Sequence, residues 1–454
     1  MTSNPETLLA RADRLARRGQ RDDAKAAYLE ILKVAPDHFG ALNNLGALLH
    51  DMGYRSAART AYARAVAVHP RNPVGHVNLA NALRGNGDLA AARGHAEMAL
   101  HLSPGHAGAH QAMAAILFNL GEMESAARHR DLGYRDHDAM HIPFRGRGKP
   151  VSLLMLVSAV GGNVPIRHLI DDGVFETTVI YADYWTRPPP RHDLVLNAIG
   201  DADLCAPAMH AAAELLAKTK APVLNPPQAT LRTGRCENAG RLAHLPGMRT
   251  ARTVNLPRAA IAEHGLNYPL LLRSPGFHTG EHFERVDAPG QLAAIAARLP
   301  GEELLAMEYL DACGLDGRPR KYRVMFVNGE MLPLHLCISN DWKVHYFTSA
   351  MADNAAYRDE EKAFLADMPA VLGGKAMTAL AAIRDALGLD YGGVDFALNA
   401  AGELLLFEAN ATMVILPPGP DARWDYRRAA IARVENAVRA MLAGRAAAAR
   451  PLAA

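Results

Sequence analysis

The first 140 residues repeat themselves every 34 positions, and few folds are open to a chain with that period. Gly19, Gly53, Gly87 and Gly121 are spaced by 34, as are Pro36, Pro70 and Pro104 and as are Ala24, Ala58, Ala92 and Ala126. A unit of this length cannot bury a core alone, so each has to stack on the next. The glycine breaks the unit into two amphipathic helices, the alanines let those helices approach closely, and the proline ends the second helix. About four units fit, over roughly residues 5 to 138.

With Leu42, Leu45, Gly46, Leu49, Ala58, Tyr62, Ala65 and Pro70 as its small and large apolar positions, this unit resembles the tetratricopeptide repeat. The resemblance implies an all-α solenoid over residues 1–140. Its concave face is lined by the first helix of each repeat and is expected to recruit a peptide or protein partner. Asn43, His50, Asn81 and Arg84 are expected on that face. The competing expectation for the repeats is a homodimer.

A chain of 454 residues is too long for one core, so further domains follow. Its net charge of +2 carries no signature of nucleic-acid binding. Cys205, Cys236, Cys313 and Cys337 lie far apart, in neither a metal-ligand spacing nor a disulfide framework, which fits a reducing cytoplasm. The start of the chain has no apolar leader, and no apolar run approaches the ~20 residues of a membrane span, so a soluble cytoplasmic protein is expected.

After "HIPFRGRGKP", read as a linker over 141–150, short apolar runs alternate with helical stretches as far as residue 230. That alternation predicts an α/β domain with a parallel sheet. A "GGN" at Gly161 to Asn163 follows its first strand without a full dinucleotide fingerprint. Residues 231–445 mix strand-length and helix-length segments in α+β fashion, and 446–454 read as a flexible tail.

The stretch "GGVDFALNAAGELLLFEANATM", Gly392 to Met413, reads as a buried hairpin that carries Asp395, Glu408 and Asn410 on one face. A two-residue loop at Asn399 to Gly402 would pair Leu398 with Glu403 and Asp395 with Leu406, leaving Glu408 the diagonal neighbour of Asp395, ~7 Å away. Carboxylates so placed need either a shared proton or a cation between them. Few, hard oxygen donors suit Mg²⁺.

Asp, then Glu thirteen residues on, then Asn two after that resembles the metal-binding triad of the ATP-grasp ligases, which include D-alanine:D-alanine ligase and the peptide glutamate ligases. The resemblance covers roughly 151–445, with 151–230 as the domain that precedes ATP-grasp in such enzymes. It implies ATP and Mg²⁺ as cofactors, with the metal on Asp395, Glu408 and Asn410. In "YPLLLRSPGFHTGEHFERVD" it implies a loop over the phosphates at Gly276, His278, Thr279 and Gly280. Met307, Glu308, Tyr309 and Leu310 fall at the adenine hinge, and Arg323 in "KYRVMFV" at the cation that meets the γ-phosphate or an acyl phosphate. Two lysines that usually hold the phosphates appear as Arg235 and Arg273, and an arginine that D-alanine:D-alanine ligase has two residues before its metal-binding Asp is Gly393. "HLCISNDWKVHY" supplies His335, Asn340, Lys343 and His345 to a segment that could reach the acceptor. The implied activity is ligation of a small-molecule carboxylate to an amine through an acyl phosphate. A nucleotide-binding scaffold without ligation and an ATP-grasp kinase stand as alternatives.

Overall fold

The computed structural model describes residues 4–277, 280–345, 349–415, 418 and 421–449. It divides into two units, Met1–Asp138 and Ala139–Ala454.

The first unit is a run of helices, α1 (Pro5–Arg17), α2 (Arg21–Val34), α3 (Phe39–Asp51), α4 (Arg55–Val68), α5 (Pro73–Arg84), α6 (Leu89–Leu102), α7 (Ala107–Asn119) and α8 (Met123–Tyr134). They pair into hairpins in sequence order. The four glycines spaced by 34 sit in the hairpin turns with φ of 73°, 84°, 82° and 80°, a left-handed conformation that costs a side chain energy and glycine almost none. Ala24, Ala58, Ala92 and Ala126 are almost wholly buried, where a larger side chain would push the paired helices apart. Residues 5–134 thus form a helical-repeat region like tetratricopeptide repeats.

The second unit is mixed α/β, with three sheets. The first holds β1 (Met140–Ile142), β2 (Val151–Val157), β3 (Phe175–Tyr181), β4 (Leu194–Asn197) and β5 (Val223–Leu224) in the order β1-β3-β2-β4-β5, parallel except for β1. Strands buried on both faces read as continuous apolar runs, which is how β2 and β4 read. Helix α9 (Ala202–Leu215) covers one face through Ala208, Met209 and Ala212. Short helices α10 (Pro227–Leu231) and α11 (Arg235–Leu242) lead to β6 (Met248–Thr250).

The second sheet is antiparallel, with β7 (Thr253–Pro257), β8 (Leu270–Arg273), β9 (Phe283–Val286) and β10 (Glu303–Glu308) in the order β7-β10-β8-β9, backed by α12 (Leu292–Arg298). The third holds β11 (Arg320–Val327), β12 (Glu330–Ile338), β13 (Tyr391–Leu398) and β14 (Leu404–Asn410) in the order β12-β11-β13-β14-β6. Helices α13 (Ala355–Ala366) and α14 (Met368–Leu387) pack on one of its faces. The last helix, α15 (Asp425–Ala449), joins Met325, Val327 and Leu334 of this sheet to Leu153, Met155 and Leu196 of the first in a single core. Among the described residues no helix is long and apolar enough to cross a membrane.

Three expectations are corrected. The 141–150 stretch is not all linker, because β1 pairs His141 with Thr178 on the open edge of β3, and that pairing partner lies too far along the chain to be read from local composition. The 446–454 stretch is not all tail, because α15 runs on through Ala449 and buries Ala446; residues 450–454 lie outside the described residues. The hairpin register is also shifted. Asn399 N–H donates to the Glu403 carbonyl and Gly402 takes φ 69°, so the loop has three residues, not two. Leu398 therefore pairs with Leu404 and Phe396 with Leu406, and a bulge after Asp395 brings Asp395 directly opposite Glu408.

Candidate active site

Strand pairing places His335, Arg323, Asp395 and Glu408 opposite one another in a row across β12, β11, β13 and β14. Alternation puts Lys321 on the same face as Arg323, two residues away, and Asn410 on the same face as Glu408. This face looks into a cavity of 510 Å³ that is also lined by Met307, Glu308, Tyr309 and Leu310 from the end of β10 and by Arg235, Arg273, Lys343 and His345.

The row is neutralised from within. Arg323 donates to Asp395 from Nε to Oδ1 at 2.6 Å and from Nη2 to Oδ2 at 2.8 Å, and Lys321 Nζ lies 3.2 Å from Oδ2. Burial works against the Asp395 charge, yet Arg323 and Lys321 hold its carboxyl well below the usual carboxylate range. Arg235 opens α11 and donates to Glu408 Oε1 at 2.7 Å and to Asp203 at 3.0 Å. Each of the two opposed carboxylates thus has a guanidinium partner of its own. Asn410 donates to Glu408 at 2.8 Å, and its amide oxygen accepts the N–H and hydroxyl of Thr412. It holds Glu408 in place beside Asp395 on this face.

Arg273, closing β8, is different. Its Nη2 donates to the Phe277 carbonyl, its Nε is buried without an acceptor, and no carboxylate among the described residues lies within ion-pair distance. Burial, with Arg235 nearby, brings its pKa down to about 10. Lys343 Nζ donates to the Gly280 carbonyl at 2.9 Å and faces the rings of Trp342 and Phe283. Burial, with Lys321 and Arg323 close by, lowers the pKa of His345, and burial with Arg323 lowers that of His335 further.

Residues 307–310 are held by local contacts. Glu308 N–H donates to the Arg252 carbonyl at 2.9 Å, its side chain accepts from Arg249, and the Tyr309 ring lies 4.5 Å from the Arg285 guanidinium. Gly276 has φ 80° and does not line the cavity, whereas Gly280 does. His278 and Thr279 lie outside the described residues. Asn340 is exposed and away from the cavity. Gly393 has no room for a side chain, because a Cβ there would stand 2.9 Å from the Val324 carbonyl oxygen and 2.9 Å from Met413 Cγ.

Lys321, Asp203 and Arg427 were not singled out in the sequence. Lys321 shares the parity of Arg323, a signal that was available. Arg427 lines the cavity from α15, tied to Glu361 by a contact of 2.6 Å, and nothing near it in sequence marks it.

In the repeat unit, Asn43 is engaged, donating to Asn44 at 3.2 Å and accepting from Asn78 at 2.6 Å. His50 and Asn81 are exposed, and Arg84 is half-buried with its Nε lacking an acceptor among the described residues.

No protein-family model matches the chain, and no curated protein sequence matches it. Among solved structures, MamA from Desulfovibrio magneticus RS-1 is similar at 25% identity over 28% of this chain and 72% of its own, with a TM-score of 0.26. A thermophilic TPR protein of Thermus thermophilus is similar at 23% identity over 29% of this chain and 73% of its own, with a TM-score of 0.27. These likenesses lie in the N-terminal helical repeats, whose architecture rests on the period and packing described above.

Proposed function

We propose that the second unit is an ATP-grasp ligase, dependent on ATP and Mg²⁺, that joins a carboxylate to an amine through an acyl phosphate. We further propose that the repeats bring it a peptide or protein partner. The observation that carries this reading is Arg273, a buried guanidinium without a carboxylate partner among the described residues. A buried cation is costly without a counter-charge, and a nucleotide phosphate supplies one. The same cavity holds two opposed carboxylates and a hinge segment.

In this reading Arg273 and Arg235 hold phosphate oxygens, and the backbone of Met307 to Leu310 reads the purine edge. Asp395 and Glu408 offer the hard oxygen donors that Mg²⁺ prefers, so the donor chemistry fits, with Asn410 orienting Glu408. When bound, Mg²⁺ would neutralise charge on the phosphates. Arg323 and Lys321 stabilise charge at the reacting carboxylate. His345 lines the same cavity, and burial with its cationic neighbours favours its neutral form, which can accept a hydrogen bond from an incoming amine.

A scaffold that binds nucleotide without ligation is favoured by one observation, the internal pairing of both carboxylates with arginines. ADP release measured with and without candidate amines separates the readings. ADP with a condensed product supports ligation, ADP without an amide supports a kinase, and no ADP supports the scaffold. Under the ligase reading, turnover collapses in Glu408→Gln; a folded variant with full Mg²⁺-dependent turnover would overturn the metal assignment.

A further inference from the structure

The repeat unit carries the same histidine pair twice. His76 on α5 meets His95 on α6 with Nδ1 to Nδ1 at 3.0 Å, and His110 on α7 meets His129 on α8 in the same way at 2.9 Å. His76 and His110 are buried, and each has its other nitrogen committed: Nε2 lies 2.9 Å from the Pro70 carbonyl oxygen in one and 2.9 Å from the Pro104 carbonyl oxygen in the other.

These contacts fix the tautomers. A carbonyl only accepts, so Nε2 of His76 and of His110 must carry a proton, and the neutral rings then present a bare Nδ1. The proton in each histidine–histidine bond comes from His95 Nδ1 or His129 Nδ1. Ring centroids lie 5.2 and 5.1 Å apart, so the two nitrogens point at each other and do not converge on a third position, which describes a hydrogen bond and not a chelate.

Each pair keeps its bond with one added proton and loses it with two, when N–H faces N–H. Even the first is disfavoured. The titratable group facing His95 is His76; those facing His129 are His110 and the Arg128 guanidinium, and none is a carboxylate. Burial and these neighbours lower the pKa of both outer histidines.

We propose that the two pairs make α5 to α8 a pH-sensitive half of the solenoid, closed while the histidines are neutral and loosened as they gain protons. The sign follows from proton binding. Histidines of the unfolded chain titrate near ~6.5 and His95 and His129 bind fewer protons in the native state, so this stability is fully present above that value and is lost as pH falls below it. The inference is independent of any ligase activity. Helices α1 to α4 have no such pair among the described residues, and the one capping contact of a histidine Nδ1 there, His38 with Ala41 N–H, recurs at His106 and Ala109, so α1 to α4 serve as an internal reference.

Hydrogen exchange of the full chain at pH 7.5 and 5.5, corrected for intrinsic rates, tests this. Protection in α5 to α8 should fall on acidification, roughly tenfold per pH unit for each proton taken up on opening, while protection in α1 to α4 changes little. The double variant His95→Gln, His129→Gln keeps an amide donor for the same Nδ1 atoms and should lose the part of that pH dependence that His95 and His129 carry. Equal pH dependence in the two halves of the wild-type solenoid overturns the proposal, as does an undiminished response in the folded variant. Should the variant fail to fold, the wild-type comparison decides alone.

Discussion

Arg323 and Asp395 face each other across the β11/β13 ladder and meet through two parallel contacts, of 2.6 and 2.8 Å, with the Asp395 carboxylate almost fully enclosed. Removing one partner strands the other's charge. Arg323→Ala is therefore expected to cost about 3 kcal/mol of stability, toward the low end for a broken buried pair because Lys321 remains beside the carboxylate. Urea unfolding of both chains checks this.

The same pair shapes the acid limb of the stability curve. The folded pKa of Asp395 is depressed, so its contribution is fully present above the unfolded carboxylate value of ~3.9 and is lost as pH falls below it. Asp395→Asn should be less stable than the parent at pH 7 and show a flatter loss between about pH 4 and 2. Unfolding measured at stepped pH gives both slopes.

Arg273 should behave in the opposite way. Because its charge is buried without a carboxylate partner among the described residues, Arg273→Ala is expected to leave stability unchanged or raise it. The proposed nucleotide site predicts that the same variant binds an ATP analogue about 10- to 100-fold more weakly, the worth of one charge-assisted contact. Calorimetric titration and thermal unfolding of one preparation read both.

Gly393→Ala should destabilise by about 1–3 kcal/mol, because the new methyl would meet the Val324 carbonyl and Met413 with no slack. Thermal unfolding checks it. The contact also gives a steric reason why no cationic side chain reaches the row from position 393, and why Arg323, on the neighbouring strand, holds Asp395.

A chain of residues 139–454 should fold without the repeats, since it contains all three sheets. Starting at 145 instead removes β1 and exposes the edge of β3, so that shorter chain is expected to melt at a lower temperature. Circular dichroism of the two chains tests the difference.

Legibility in the sequence follows the range of the interactions. The repeats could be read because each glycine, alanine and proline acts within its own hairpin, and the structure puts the glycines at positive φ and the alanines inside. The acidic hairpin could be read as an element but not in register, since that depended on a turn closed by the Asn399 backbone and on a bulge after Asp395. The partner of Asp395 lies 72 residues earlier, and no local pattern assigns strand neighbours over such a distance. Arg427 reaches the cavity through the packing of α15, a tertiary fact with no periodic trace.

That packing has a consequence for synthesis. Leu153, Met155 and Leu196 share their core with Val434, Val438 and Met441, so the first sheet cannot be closed until the last helix has left the ribosome. At roughly 5–20 residues per second, the apolar face of β2 waits tens of seconds for its cover, while each repeat hairpin needs only the next one to stack on it. The nascent second unit is then the segment with most need of a chaperone, and a chain that stalls before residue 425 leaves that face open to aggregation.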